Sequence, residues 1–348
     1  MTRNHRIVEI DLMLVEELGK EALDQYNLVK ENVGLLKLTD RGKIEVVGSD
    51  RSTFLHAMIS NDVLELPELC GRYGLLLTAR GKMTADFFYY KLPEVLLIDV
   101  ADVLLPVMQD TLQRYVIMDA VEINNASTKM AHLSLQGPKT QDLVKKLFGG
   151  AIPNTCYGVK KVEWDGEALW MVAKNDLAEI GCELVMPVVI VDSLHKAILE
   201  KGASLGLVEI SQKTRNILRM ESCIPWYGQD MDENRYPIEA RLEAAISLTK
   251  GCYLGQEVVS KAVHVGGVSN LLMGLKLADS TVPDEGAQVF NNQGRQIGSI
   301  TSAVFSPRCG CPIAFAYIKS KFATPGNICQ IETGSGEMTT ATIVDNFL

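Results

Sequence analysis

From about Gly266 to the C-terminus the chain is broken every few residues by turn signals, and this texture constrains the fold more than any other feature. Short apolar or alternating runs occur at Leu271 to Leu277, Gln288 to Phe290, Gln296 to Val304, Ile313 to Ile318, Ile328 to Glu332 and Thr339 to Val344. Clusters such as Asn291-Asn292-Gln293-Gly294 and Thr333-Gly334-Ser335-Gly336 separate them. Runs of this length between turn residues read as strands. A series of them with no helical stretch between predicts an all-β barrel or sandwich over residues 266–348.

Upstream of that boundary the periodicity is mixed. Leu12 to Lys30 has helical apolar spacing, and Lys43 to Gly48 reads as a strand ending at Ser49-Asp50, residues suited to cap a helix through Met58. Tyr73 to Thr78 and Met83 to Leu92 form a predicted hairpin around Ala79-Arg80-Gly81-Lys82. A strand at Val95 to Val100 and a helix from Asp102 to Tyr115 follow. A second block begins with strand Met130 to Leu135 and turns at Gln136-Gly137-Pro138. It then enters a helix to about Phe148, with Pro138 placed for the first turn. Strands at Leu169 to Ala173 and Cys182 to Met186 and a helix near Val191 to Lys201 complete it. With no regular βα alternation and a glycine-containing hairpin turn, the expected class is α+β. At 348 residues the chain also exceeds what one hydrophobic core usually supports.

Several function classes are disfavoured by composition. A formal net charge of -9 argues against general nucleic-acid binding, which draws its affinity from Lys and Arg on phosphates. No stretch approaches the roughly 20 apolar residues of a membrane-spanning helix. Glu9, Asp11, Glu16 and Glu17 interrupt the N-terminal region, where no signal-peptide-length apolar run occurs, so the expected location is cytoplasmic. The 8 cysteines include no CxxC pair, which fits neither a zinc framework nor a secreted disulfide scaffold. Neither GxGxxG nor GxxxxGK[ST] is present.

The densest polar cluster runs from Arg219 to Lys261. Its second half holds Lys250-Gly251-Cys252-Tyr253-Leu254-Gly255-Gln256-Glu257, and its first half reads RMESCIPWYGQDMDE. The former resembles the K-G-C-[FY]-x-G-Q-E signature of the YgfZ-type folate-binding family, relatives of the glycine-cleavage T-protein. The latter resembles the R-x-E-A-G-x-P-x-x-G-x-D-M-D-E stretch of the wider superfamily. Weaker echoes lie at Phe54 to Val63, Arg72 to Phe87, Leu133 to Pro138, Gly181 to Pro187 and Ile313 to Ile318, so the likeness spans nearly the whole chain.

This resemblance implies residues 1–265 as a folate-binding α+β region of two interleaved lobes, about 49–128 and 1–48 with 129–265, followed by a C-terminal antiparallel β-barrel over 266–348. It implies tetrahydrofolate or a one-carbon derivative as cofactor, with Glu221 as the pterin-binding carboxylate and Tyr227, Asp230 and Glu239 lining the same channel. Lys250, Gln256, Glu257 and Lys261 are further binding candidates.

Cys252 lies between Gly251 and Gly255, and a nearby Lys250 or Lys261 favours a thiolate. Nucleophilic, redox and transient iron-sulfur contact remain open for it, and no resident metal is expected. The T-protein pattern G-G-x-x-D-D corresponds to Gly81 to Asp86, where Asp86 keeps only the second carboxylate. Val265 and Asn270 stand where YgfZ sequences carry arginines, and Cys223 replaces the motif glycine after Glu221-Ser222.

The expected function is a tetrahydrofolate-binding factor supporting assembly or repair of 4Fe-4S clusters, with iron-sulfur client or assembly proteins as partners. It would have an aminomethyltransferase-like fold without being a glycine-cleavage aminomethyltransferase. A folate-dependent aminomethyltransferase or demethylase-like enzyme and a folate-free scaffold are the alternatives.

Overall fold

A computed structural model describes residues 18–263, 267–334 and 336–347. Its elements begin with α1 (Lys20–Glu31), β1 (Val33–Lys37), β2 (Arg41–Val47), α2 (Arg51–Met58), β3 (Cys70–Leu77), β4 (Met83–Lys91), β5 (Leu96–Ala101) and α3 (Leu105–Tyr115). They continue with β6 (Glu122–Asn125), β7 (Met130–Gln136), α4 (Thr140–Phe148), β8 (Val159–Trp164), β9 (Glu167–Ala173), β10 (Gly181–Pro187), α5 (Val191–Ala203), β11 (Leu207–Glu209) and α6 (Gln212–Glu221). The short helix α7 (Gln256–Lys261) precedes β12 (Asn270–Leu277), β13 (Gln288–Phe290), β14 (Gln296–Ser306), β15 (Cys311–Lys319), β16 (Ile328–Glu332) and β17 (Met338–Val344). The fold is α+β, and it separates into two compact units. A two-sheet unit comprises Leu28–Glu209 and Leu242–Lys261. A barrel unit draws on Met1–Asn27, Ile210–Arg241 and Ala262–Leu348, so far as those residues are described.

In the two-sheet unit one sheet has the order β11-β1-β7-β10-β9-β8 and the other β3-β4-β5-β2-β6. Strand alternation divides the labour of the first sheet. Leu133, Leu135, Leu184 and Met186 point to a core closed by Leu143, Val144 and Leu147 of α4 and Leu194 and Ile198 of α5. The residues between them, such as Val172 and Val185, pack against Tyr90, Leu92 and Leu97 of the second sheet. The helices therefore cover one face, and the second sheet covers the other.

The barrel unit carries a closed, six-stranded antiparallel barrel in the order β12-β15-β14-β13-β16-β17. Its interior is filled by Leu275, Val289, Ile300, Ala314, Ala316, Ile331 and Ile343 among others. All six strands read from the sequence occur within a residue or two of their predicted bounds.

Differences upstream have local causes. Helix α4 starts at Thr140 with Lys139 as its cap, so Pro138 falls before the first turn. Gly137, at φ 125°, sits so close to the Asn32 carbonyl that a β-carbon would lie 2.4 Å from it, and Lys139 N–H then binds that carbonyl at 3.1 Å. Asp50 caps α2 without a side-chain bond; its Oδ2 instead accepts the Ala120 N–H at 2.8 Å. Strands β1, β6, β8 and β11 escaped the sequence reading. The predicted N-terminal helix is described only from Leu18, and its start, together with Glu9, Asp11, Glu16, Glu17 and Val265, lies outside the described residues.

Candidate functional site

Helix α6 opens on Ser211, whose hydroxyl accepts the Thr214 N–H at 3.3 Å. It ends with paired main-chain bonds, Ile224 N–H to Arg219 C=O at 2.9 Å and Cys223 N–H to Met220 C=O at 3.0 Å. This arrangement stops a helix by a left-handed residue, here Cys223 at φ 57°. The stop leaves Glu221 in the last turn with 2% exposure. Its Oε1 accepts the Ser306 hydroxyl at 2.6 Å and the Arg308 N–H at 3.2 Å, and the Tyr26 hydroxyl lies 2.8 Å from Oε2. A carboxylate at a helix C-terminus faces the negative end of the macrodipole, so these donors offset an unfavourable placement. Burial, reinforced by Glu221, pushes the Tyr26 phenol well above its ordinary range and keeps it a donor.

Asp230 has every acceptor direction filled. Oδ2 takes the Arg219 guanidinium and, at 3.0 Å, the Trp226 N–H; Oδ1 takes the Ser302 hydroxyl and, at 2.7 Å, that of Thr301. Consecutive strand residues normally face opposite ways, but the ladder shifts register between Ile300 and Ser302. That bulge lets both hydroxyls meet one oxygen. Arg219 also stacks over Trp226, 4.5 Å from the ring centre. Glu239 Oε2 accepts the Tyr236 N–H at 3.0 Å while its carbonyl ties the turn to β12 through Leu272 N–H at 2.8 Å. Tyr227 lies half-buried on a turn bridged back to Met231. Glu221, Tyr227, Asp230 and Glu239 thus all belong to the barrel unit.

The remaining candidates belong to the two-sheet unit. Lys250 directs its ammonium at three carbonyls, that of His56 in the last turn of α2 and those of Ile59 (2.7 Å) and Asn61 (3.1 Å) just beyond it. Burial draws this ammonium down to about 8. Its three protons serve to hold the Lys250 loop against the 56–61 turn. Gly255, at φ 82°, presses on the β3–β4 turn so closely that a β-carbon would lie 2.5 Å from Thr78 O. The KGCYLGQE segment and the Ala79-Arg80-Gly81-Lys82 turn are thereby packed together. Cys252 is exposed on this loop. Gln256 opens α7, and Glu257 pairs with Lys261 at 2.6 Å on its exposed side.

Asp86, on β4, accepts the Tyr73 hydroxyl at 2.8 Å. Burial raises its carboxyl above the ordinary range although Arg41 opposes the rise. Ala85, at the other carboxylate position of the family pattern, is fully buried.

A buried ionic seam between the two sheets was missed by the sequence reading. Asp99 accepts Arg41 Nε at 3.0 Å and Lys43 Nζ at 2.9 Å; Glu183 accepts Lys174 Nζ at 3.1 Å and lies 3.0 Å from His132 Nε2. Lys43 Nζ is 3.1 Å from His132 Nδ1. His132 thus accepts at Nδ1 and donates from Nε2, and burial, with Lys43, pulls its pKa down toward that neutral form. Although Asp99, His132 and Glu183 bring ligand atoms within 4.8 Å of one another, the Lys43 and Lys174 ammonium groups already supply the cationic charge. The available signal was a charged residue interrupting each apolar strand, as in LLIDVA and CELVM.

The GCVT N-terminal domain model matches residues 16–250, and the glycine cleavage T-protein C-terminal barrel domain model matches residues 271–348. The chain belongs to the glycine cleavage T-protein family. Among its relatives, a protein from Chloroherpeton thalassium named aminomethyltransferase is 29% identical over 86% of this chain and 83% of its own. One of the same name from Thermoanaerobacter pseudethanolicus is 27% identical over 99% of this chain and 94% of its own. The crystal structure of glycine cleavage system aminomethyltransferase T from Bartonella henselae superposes with a TM-score of 0.86. It covers 94% of this chain and 89% of that one at 21% identity, a likeness of fold.

Proposed function

We propose that this protein binds tetrahydrofolate or a one-carbon derivative of it and acts in one-carbon transfer of the aminomethyltransferase type. The observation that carries the reading is Glu221, a carboxylate fixed by Tyr26, Ser306 and Arg308 at the position where the family's pterin-binding carboxylate is expected. A reduced pterin offers adjacent ring N–H and amine donors, which one rigid carboxylate accepts together. The relatives named aminomethyltransferase, matched over most of their own length, support the transfer reading. Asp86, the carboxylate of the T-protein pattern that this chain keeps, is proposed for proton handling; burial raises its carboxyl above the ordinary range. Among the described residues no helix is long and apolar enough to cross a membrane.

Anaerobic calorimetric titration of tetrahydrofolate into wild type and Glu221→Gln tests this reading. Loss of a charge-assisted pair worth about 1.5–3 kcal/mol should weaken binding by roughly 10- to 150-fold. No saturable binding to folded wild type would remove the folate reading and leave a folate-free scaffold.

A second reading is favoured by Ala85 and Cys252. An alanine replaces one carboxylate of the T-protein pattern, and the exposed thiol lies within the YgfZ-like motif. On this reading the protein supports 4Fe-4S cluster assembly or repair in client enzymes, with Cys252 as the reactive or cluster-contacting group. Cells lacking the gene would then lose activity in several iron-sulfur enzymes, restored by wild type and not by Cys252→Ala. Normal cluster enzymes in the deletion would end it.

A further inference from the structure

Glu221 is 2% exposed, so a ligand reaches its oxygens only if one of the groups around them moves. Those groups differ in how freely they leave. Ser306 Oγ accepts the Cys309 N–H at 3.0 Å, which aims its own proton at Glu221 Oε1, 2.6 Å away. The Arg308 N–H, 3.2 Å from the same oxygen, is main chain of the turn between β14 and β15. Both donors are built into one hairpin and stay with it. Tyr26 is different: its hydroxyl donates to both oxygens at once, at 3.0 Å to Oε1 and 2.8 Å to Oε2, from the end of a side chain that changes rotamer without moving its helix.

One proton shared between two acceptors makes two bent bonds in place of a straight one. It also lies across the fork of the carboxylate. A ligand with two adjacent donors must take that same place to give each oxygen its own N–H. The phenol and such a ligand therefore compete for one position. Helix α1 stays in place while they do so. One residue before Tyr26, Gln25 Oε1 accepts the Ser211 N–H at 2.9 Å and the Thr214 hydroxyl at 2.8 Å, which ties α1 to the start of α6.

We propose that Tyr26 is a gate on the Glu221 carboxylate, an internal competitor that the ligand displaces on binding. The identity of that ligand rests on the folate reading, in which the two donors are the ring N–H and exocyclic amine of a reduced pterin. Ser306 and Arg308 hold Oε1 in both arrangements, and Tyr26 alone gives up its place. The protein with the phenol on the carboxylate is closed to the ligand, so the apparent affinity is lower than an open carboxylate would give.

Anaerobic calorimetric titration of tetrahydrofolate into folded wild type, Tyr26→Phe and Ser306→Ala tests the gate, because removing a competitor and removing a support act in opposite directions on one carboxylate. Tyr26→Phe should tighten binding by roughly 10-fold, the weight of one hydrogen bond to a charged group, and Ser306→Ala should weaken it. Thermal unfolding supplies a second readout. Without ligand Tyr26→Phe should melt below wild type, and at saturating tetrahydrofolate the two midpoints should converge, since the bond to Glu221 is then absent from both. Tyr26→Leu, which also lacks the hydroxyl, takes the place of Tyr26→Phe if that variant does not fold. Unchanged or weaker binding by the folded variant, or a midpoint gap that persists at saturation, would overturn the gate and leave the folate reading standing. No binding to wild type or to either variant would overturn both, whereas binding to Tyr26→Phe alone would support both.

Discussion

Removing the Asp230 carboxylate is the sharpest test of what binds the barrel unit together. Asp230→Ala strips the Arg219 guanidinium, whose side chain has 0% exposure, of its counter-charge. It also removes the acceptor of the Trp226 N–H and leaves the Thr301 and Ser302 hydroxyls only the Phe315 carbonyl at 3.4 Å and the Met220 sulfur at 3.3 Å. Breaking one side of a buried pair costs about 3–5 kcal/mol. Arg219 keeps acceptors in Asn216 at 2.8 Å and in the Ile224 carbonyl and Gln229, both at 3.1 Å, which argues for the lower half of that range. The expected loss is therefore about 3–4 kcal/mol, a large share of a typical folding stability of 5–15 kcal/mol. Urea unfolding followed by tryptophan fluorescence reads it directly, since Trp226 stacks on Arg219. The double variant Arg219→Met with Asp230→Leu should recover at least half of the loss, because an apolar pair removes the stranded charge. A loss below about 1 kcal/mol for Asp230→Ala would refute the structural role. If tetrahydrofolate affinity fell instead while stability held, Asp230 would be the ligand residue that the sequence motif implied.

Two other perturbations address the two-sheet unit. Burial alone would raise the Glu183 carboxyl, but the Lys174 ammonium and then His132 outweigh it and hold the folded value below the unfolded 4.5. Its contribution is complete above pH 4.5 and lost as pH falls below it. Glu183→Gln should cost about 3 kcal/mol at neutral pH and flatten the acid limb of a stability-against-pH curve; an unchanged limb would contradict the assignment. Gly255→Ala combines a left-handed φ with a β-carbon 2.5 Å from the Thr78 carbonyl and should release the motif loop from the β3–β4 turn. Tryptic nicking at Arg80 or Lys82 should accelerate several-fold, and wild-type resistance would mean that this packing is not needed.

Legibility in the sequence followed the range of the interaction that fixed each feature. The barrel strands were readable because alternation and turn residues are local signals. Strand β8 was readable in principle: Asp165-Gly166, both at positive φ, closes its hairpin with β9, with Trp164 opposite Glu167. The ionic seam was not readable. Lys43 meets Asp99 across 56 positions, and His132 meets Glu183 across 51, so neither pair leaves a local pattern in the sequence. Glu221 was reached through its motif, whereas Tyr26 and Ser306, which hold it, lie 195 and 85 positions away in the chain.

The motif around Cys252 contains residues with different explanations. Lys250 is occupied by the carbonyls of His56, Ile59 and Asn61, Tyr253 is buried, and Gly255 is required by its φ and by the approach of Thr78. Architecture accounts for these three with no ligand. It does not account for Cys252, which is exposed, nor for the exposed Glu257 and Lys261 pair on α7. A loop fixed at several points to present one exposed thiol is costly to build for packing alone, since serine or alanine would serve an exposed loop position equally. The informative substitution within the motif is therefore Cys252→Ala, because loss of function there cannot be ascribed to the fold, whereas loss in Lys250 or Gly255 variants can.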